Sequence, residues 1–343
     1  MDTRFAVILV NWRGADDTIE CLASLFSADH TPYIIVVDND SGDGSVERIA
    51  EWARGHADVP VASTHHLNKA YKEIERPIDF EIIDRTQLGR GAKKPLTIIN
   101  SGGNLGFAGG NNRGLELALA TDDVSLFWLL NNDTIVEPAT PLAIRNTFAA
   151  NPKWGMAGTP IRLYHRPDRH QLVNGMRFSV LTGAGQAIEK GSPADRMFDS
   201  KRIAAETDFV CGASIIVTRD LIESVGMMED AFFLYYEEID WALRAKDKFE
   251  IGFVLGAVVY HKEGASAGSS SLLSNSARSP LSEYHHIRSK MIFCRKHYPL
   301  LLPVYFAQNL IILMRRIWRR QPPQANAVFR AIFGLPFNRG VKA

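Results

Sequence analysis

The chain has 343 residues, 46% hydrophobic and 22% charged, a globular composition that allows a core of normal size and excludes extended disorder. Its formal net charge of +1 gives no electrostatic reason to expect a nucleic-acid partner. The charge is unevenly spread: from Ser269 onward twelve Lys/Arg face a single acid, Glu283, so a basic tail follows an acidic body.

Phe5–Val10 is an apolar, β-branched run, the pattern of a strand buried on both faces. It is short, and polar Asn11 and acidic Asp16-Asp17 follow it, so it does not read as a signal peptide. Asp16 or Asp17 is expected to cap a helix that turns Ile19, Leu22, Ala23 and Leu25 inward. Ile34–Val37 reads as a second buried strand stopped by Asp38-Asn39-Asp40-Ser41-Gly42, with a helix over Ser45–Ala53. Residues 63–96 are polar and charged, with a short strand at Phe80–Ile83; a connection of this length is generally functional or flexible. Strand Leu96–Ile99 leads into a glycine- and asparagine-rich loop, residues 101–112. A helix bearing Leu115, Leu117, Ala118 and Leu119 and a strand at Leu126–Leu130 come next. Alternation of this kind predicts an α/β fold with a mostly parallel sheet flanked by helices. Ligands in such sheets bind beyond the carboxyl ends of the strands, where Asn11, Asp38 and Asn131–Asp133 gather.

Farther on, Ala213–Val217 predicts a strand ending where a helix begins at Arg219-Asp220. Phe232–Tyr236 is aromatic, Glu237 opens a helix, and Val254–Tyr260 predicts a strand ending at His261. In the tail, Pro299–Met314 is apolar but interrupted by Pro303, Gln308 and Asn309, short of the roughly 20 apolar residues of a spanning helix. Arg315, Arg316, Arg319 and Arg320 follow. Two readings stay open: an interfacial helix on an anionic membrane, or a helix packed on the body with a solvated basic end. The three cysteines, Cys21, Cys211 and Cys294, form no Cys-x-x-Cys pair, which speaks against a disulfide framework or zinc ribbon and for a reducing, cytoplasmic setting.

Several segments carry chemistry. Asp38 is placed to accept the ring N–H of uracil or thymine, although a turn or cap role is the usual one for such a residue. The segment containing Asn104, Gly106, Asn111 and Asn112 misses the G-x-G-x-x-G register and the Gly-Lys-Ser/Thr ending, which weakens dinucleotide and ATP readings. It keeps a strand–loop–helix unit whose helix N-terminus can face an anion. Asn131-Asn132-Asp133 offers one carboxylate, enough for Mg²⁺ or Mn²⁺ when a diphosphate supplies further oxygens. Glu237-Glu238-Ile239-Asp240-Trp241 fits a helix N-terminus, with Asp240 and Arg244 paired at i,i+4. It also offers a general base beside the aromatic wall of Phe232, Phe233, Tyr235 and Tyr236. His261 is either a metal ligand or a hydrogen-bonded rim histidine. Gly264–Gly268 spells G-x-S-x-G, but Ser269-Ser270-Ser271 is poor helix-starting material and no triad order follows, which argues against a hydrolase.

Taken in order, Val36–Ser41, Asn104–Phe107, Trp128–Asp133, Asp208–Ser214, Phe232–Arg244 and Val259–His261 resemble the family-two glycosyltransferases, in particular their rhamnosyltransferase branch. The resemblance implies a GT-A fold over residues 1–266, with a nucleotide-binding half (1–135) and an acceptor and catalytic half (136–266). Residues 267–343 are then a basic, partly apolar helical tail. It further implies a nucleotide-diphosphate sugar donor held by Asn11, Asp38, Asn104, Gly106, Asn112 and Asn131, and a divalent cation on Asp133 and His261. Glu238 is implied as base, with Glu237 as the alternative, and Asp240, Trp241 and Arg244 as supports. The expected reaction is a single inverting displacement onto a hydroxyl of a glycan or lipid-linked acceptor, at the cytoplasmic face of a bacterial membrane; a non-catalytic nucleotide-sugar-binding module is the alternative. Two departures stand out: Asn-x-Asp replaces the family's Asp-x-Asp, and Glu237-Glu238 replaces its Glu-Asp.

Overall fold

A computed structural model describes residues 4–59, 67, 71–262 and 278–337. The string at 264–268 and residues 63–66 and 68–70 of the long connection lie outside them. The first half runs β1 (Arg4–Asn11), α1 (Ala15–Phe26), β2 (Tyr33–Asp38), α2 (Ser45–Arg54), β3 (Phe80–Asp84), β4 (Leu96–Asn100), α3 (Gly106–Leu119) and β5 (Val124–Asn131). Then come β6 (Thr134–Val136), α4 (Thr140–Ala150), β7 (Trp154–Gly158), β8 (Pro160–Leu163), β9 (Arg166–Val173), β10 (Gly175–Ser179) and β11 (Ala184–Ala187). The chain continues through α5 (Ser200–Glu206), β12 (Phe209–Val210), β13 (Ser214–Thr218), α6 (Arg219–Val225), α7 (Glu237–Ala245), β14 (Glu250–Phe253) and β15 (Val259–His261). Three helices follow: α8 (Pro280–His297), α9 (Leu302–Trp318) and α10 (Pro322–Ile332).

The main sheet has eight strands in the order β14-β7-β13-β5-β1-β2-β4-β3. It is parallel except at β13, which opposes both neighbours. Alternation along the buried strands feeds two cores. Val7 and Leu9 join Trp52, Trp128 and Ile144 on one face, while Ala6 and Ile8 join Leu115, Phe127 and Trp241 on the other. A four-stranded sheet (β6-β15-β8-β9) and a three-stranded one (β11-β10-β12) complete the second half.

Four expectations change in detail. Of the strand expected over 254–260 only Val259 and Tyr260 are strand, in β15; β14 ends at Phe253, and Leu255 and Gly256 form a turn between the two inside an apolar stretch. Asp16 and Asp17 lie in the first turn of α1, and the N-cap is Gly14, without a side-chain cap. The glycine segment is a loop only to Leu105; α3 begins at Gly106 and holds Gly109, Gly110, Asn111 and Asn112. Those glycines serve close approach: a Cβ at Gly110 would lie 2.8 Å from Val10 Cγ1, and one at Gly114 would lie 2.4 Å from Ile8 Cγ2. Finally, the stretch from Pro299 to Trp318 is 20 residues long with mean hydropathy 1.3, long and apolar enough by those measures alone to cross a membrane.

Gly114→Val forces three carbons against Ile8 and is expected to destabilise the fold by about 2 kcal/mol, read as a lower urea midpoint at unchanged slope.

Candidate functional site

Parallel register brings one polar residue from each of four strands to the same level: Asn11 opposite Asp38, Asp38 opposite Asn100, and Asn100 opposite Asp84. Asp38 is held from behind. Its Oδ1 accepts Asn11 Nδ2 (2.7 Å) and Ser41 Oγ (2.6 Å), and its Oδ2 accepts the Ser41 N–H (3.0 Å). Each carboxylate oxygen accepts two hydrogen bonds, so among the described residues one acceptor position remains, on Oδ2. Asp38 and Asn100 line a cleft of about 400 Å³ beside the start of α2. Asn100 was not expected at the site, yet it is the polar residue that ends the apolar run of β4. Behind the row, Asn132 Nδ2 donates to Thr18 Oγ1 (2.9 Å), which donates to Asn11 Oδ1 (2.8 Å).

Gly106 takes φ +72°, and a Cβ there would lie 2.0 Å from the Phe233 carbonyl oxygen, which accepts the Phe107 N–H at 2.8 Å. Only glycine lets the start of α3 approach this closely. Asn104 Oδ1 accepts the Gly106 N–H (3.1 Å), and Asn39 clamps the turn through Leu105 N–H and the Gly106 carbonyl. Asn112 is set apart from this group. Both amide hydrogens are committed, to the Met228 carbonyl (2.9 Å) and Asp230 (2.6 Å), because its place in α3 faces the turn before α7.

Asn132 and Asp133 form the turn between β5 and β6, and antiparallel pairing sets His261 of β15 against Thr134 of β6. His261 Nε2 thereby lies 3.1 Å from Asp133 Oδ1 and 3.3 Å from Asn131 Nδ2. Its Nδ1 lies 2.9 Å from Gln171 Oε1 on β9. The protonated ring donates Nδ1–H to Gln171 and Nε2–H to Asp133; the Gln171 bond is the contact that would orient this imidazole once Nε2 exchanged its proton for a metal. No sequence signal singled out Gln171; only tertiary pairing brings it here. Burial would raise the Asp133 pKa, but the charge and hydrogen bond of His261, with Lys262 beyond, outweigh it and hold the carboxyl below its usual range. The described residues contain no group of three or more His, Cys, Asp or Glu side chains able to hold a metal. Asp133 and His261 therefore fit a cation that takes its remaining ligands from elsewhere.

The carboxylate pair enters from the opposite wall. Tyr235 and Tyr236 both take left-handed backbone conformations (φ +70° and +74°), and α7 starts immediately after them. Glu237 is buried with Oε2 unpartnered, while Glu238 is half-buried. Glu238 Oε1 lies against Gly212, where a Cβ would come within 2.2 Å of it. Burial pushes the Glu238 carboxyl up to about 7. Burial, then the neighbouring Glu238 charge, pushes Glu237 well above the carboxylate range. Asp240 is paired with Arg244 (2.8 Å), which also donates to the Met227 carbonyl (2.7 Å), and Trp241 Nε1 donates to the Gly226 carbonyl (2.8 Å). The two walls meet at one turn, for the Asn131 N–H donates to the Ala213 carbonyl (3.1 Å) next to Gly212.

No family model matches the chain. In sequence it is similar to the low-salt glycan biosynthesis hexosyltransferase Agl10 of Haloferax volcanii, 23% identical over 203 residues. That match covers 55% of this chain and 60% of the relative, so the chain spans about three fifths of the relative it matches. In structure it is similar to GalNAc-T7, solved with UDP, GalNAc and Mn²⁺, at TM-score 0.52 and 10% identity, covering 84% of this chain and 47% of that one. The mannosyltransferase PcManGT from Pyrobaculum calidifontis, solved with GDP-Man and Mn²⁺, aligns at TM-score 0.48 and 13% identity over 97% of this chain and 76% of that one. The fold is GT-A.

A raised carboxyl makes stability depend on pH. Between its ordinary 4.5 and about 7, Glu238 binds a proton in the folded state that it releases in the unfolded state, so stability falls as pH rises through that window. Glu238→Gln is expected to remove roughly 1–3 kcal/mol of that loss, seen when urea midpoints of both proteins are compared from pH 5 to 8.

Proposed function

We propose that this protein is an inverting glycosyltransferase that moves a hexose or deoxyhexose from a nucleotide-diphosphate donor to an acceptor hydroxyl. The observation that carries the reading is the shared turn at residues 211–213. It sets Glu238, a carboxyl poised near neutrality, beside the strand end that presents Asn131 and Asp133. Similarity to a hexosyltransferase supports the same class.

The donor base lies at Asp38 and Asn100. One free acceptor position on Asp38 matches the single ring N–H of uracil or thymine, which favours a uridine or deoxythymidine diphosphate sugar, L-rhamnose among the candidates. The diphosphate faces the start of α3; the Leu105, Gly106 and Phe107 N–H groups there are already held by Asn39, Asn104 and the Phe233 carbonyl, so the Asn104 side-chain amide is the donor offered to it. Asp133 and His261 would hold Mg²⁺ or Mn²⁺, whose contribution when bound is to stabilise charge on the diphosphate oxygens. Glu238 takes the proton of the acceptor hydroxyl as that oxygen bonds to the anomeric carbon; the bond from that carbon to the diphosphate oxygen breaks with its electron pair. Attack opposite the leaving group inverts the configuration. Glu237, kept neutral by burial, leaves Glu238 as the group able to alternate at physiological pH.

The membrane reading fits α9. At its end, Trp318 (82% exposed), Ile317 (61%) and Met314 (59%) lie among exposed Arg315, Arg319 and Arg320. The other side is fastened to the body through Tyr305 Oη to the Val180 carbonyl (2.7 Å) and Gln308 Nε2 to the Leu181 carbonyl (3.0 Å). A helix fastened along one side suits interfacial docking on anionic lipid rather than crossing, and a lipid-linked or envelope glycan acceptor would lie at that surface.

Glu238→Gln is expected to reduce nucleoside diphosphate release in the presence of acceptor by at least about a thousandfold while UDP or dTDP binding with Mn²⁺ stays within about twofold of wild type. Full turnover in that variant removes the base assignment. Wild-type kcat/KM should rise about tenfold per pH unit below about 7 and level off above it, because the base must be ionised. For the tail, Ile317→Ser with Trp318→Ser should weaken sedimentation with phosphatidylserine vesicles about tenfold or more, whereas equal binding removes the docking face.

A further inference from the structure

Helix α8 touches the segment that carries the carboxylates along much of its length. At its start, Ser282 Oγ lies 2.6 Å from Tyr235 Oη; in the middle, Ser289 Oγ donates to the Leu234 carbonyl (2.9 Å). At its end, Lys296 Nζ (2.8 Å) and His297 Nε2 (2.7 Å) both reach Asp240 Oδ1, while Arg244 occupies Oδ2. Asp240 is fully buried, and its backbone N–H bonds the Tyr236 carbonyl, closing the first turn of α7 over Glu237 and Glu238.

Something must hold that turn. It is entered through two consecutive left-handed tyrosines, a conformation that persists only when the surroundings over-determine it. It also carries one buried and one half-buried carboxyl, and neither has an ion-pair partner among the described residues. Both features favour a relaxed turn in which the carboxylates swing out to solvent. The buried carboxylate of Asp240, fixed by Arg244, Lys296 and His297 Nε2, opposes that release, and two of these three partners come from α8.

We infer that Lys296 and His297 are positioning residues for the Glu237–Glu238 pair, holding the carboxylates in the site through Asp240. The inference rests on the proposed glycosyl transfer only in taking Glu238 as the base. It makes α8 part of the catalytic half, although its sequence lies in the basic tail.

The test reads the position of Glu238 directly. In full-length protein, the Glu238 carboxyl is followed by carbon-detected NMR titration, with Glu238→Gln identifying the signal, in wild type, His297→Ala, His297→Gln and the Lys296→Ala/His297→Ala double variant. UDP affinity with Mn²⁺ is measured in each. We expect the Glu238 midpoint to fall from about 7 toward 4.5 in the alanine variants, UDP affinity to stay within about twofold, and the glutamine variant, which keeps an N–H donor, to stay near wild type. A midpoint unmoved in the double variant overturns the inference. So does a shift accompanied by equal loss of UDP binding in both His297 variants, which would mark a general structural role. Failure of wild type to bind UDP or dTDP would count against the glycosyltransferase reading while leaving the midpoint shift to decide this one.

Discussion

The antiparallel β5–β13 ladder relates the two halves of the molecule, and at the site it ends on the hydrogen bond from Asn131 N–H to the Ala213 carbonyl. That bond lies where the last parallel strand of the first half meets the lone antiparallel strand β13, so the end of β5 and the turn 211–213 cannot move independently. Asp133 follows from one side of that bond and the seat of Glu238 from the other. Because Gly212 has no Cβ, the carboxylate can rest on the turn itself. Two groups of opposite task, one presenting anionic oxygen and one accepting a proton, are thereby held a fixed distance apart by sheet geometry rather than by flexible side chains. Preorganisation of this kind matters because misplacement by an ångström removes much of the benefit of proximity.

Partners decide how the buried carboxylates differ. Asp38 accepts three hydrogen bonds, Asp133 has His261, and Asp240 has Arg244, Lys296 and His297. For Asp133 and Asp240, burial alone would raise the pKa, and the named partners outweigh it. Glu237 and Glu238 meet the same burial without a cation, so desolvation wins and both rise. Their place in the first turn of α7 would by itself favour the charged form, but a helix terminus is worth less than removal from water. The contrast separates carboxyls held below their usual range by partners from two raised by burial.

Much of this architecture was legible from residues alone. Long apolar runs such as Phe5–Val10 and Leu126–Leu130 announce strands buried on both faces, and the polar residues ending them announce the ligand edge. Short or weakly patterned elements were not: Ala184–Ala187 has no alternation to read, and the turn at Leu255-Gly256 hides in apolar sequence. At the site, Asp38, Asp133, Glu238 and His261 stood out by residue type and order. Gln171 did not, because it sits in a polar strand and acquires meaning only when β9 pairs with β8, whose other neighbour is β15. Asn112 looked equivalent to Asn104 in sequence, yet a helix that starts at Gly106 turns it to face Met228 and Asp230.

The two departures from the resembling family have a common physical consequence. Asn131 in place of an acid puts a neutral amide against His261 Nε2, so the corner carries one negative charge where two would be expected. A second buried carboxylate 3–4 Å from Asp133 would raise the pKa of both. The amide avoids that repulsion and leaves any cation dependent on an incoming diphosphate for charge balance. On the other wall, Glu238 reaches one methylene farther than aspartate, and Gly212 supplies the space. The longer arm keeps its carboxylate against the turn that ends beside Asn131, so the same backbone segment sets the reach of the base and the level of the strand end. One fewer fixed charge on one side and a longer carboxyl raised by burial on the other both shift the balance of the site toward neutrality, so the proposed donor and cation would supply most of its charge.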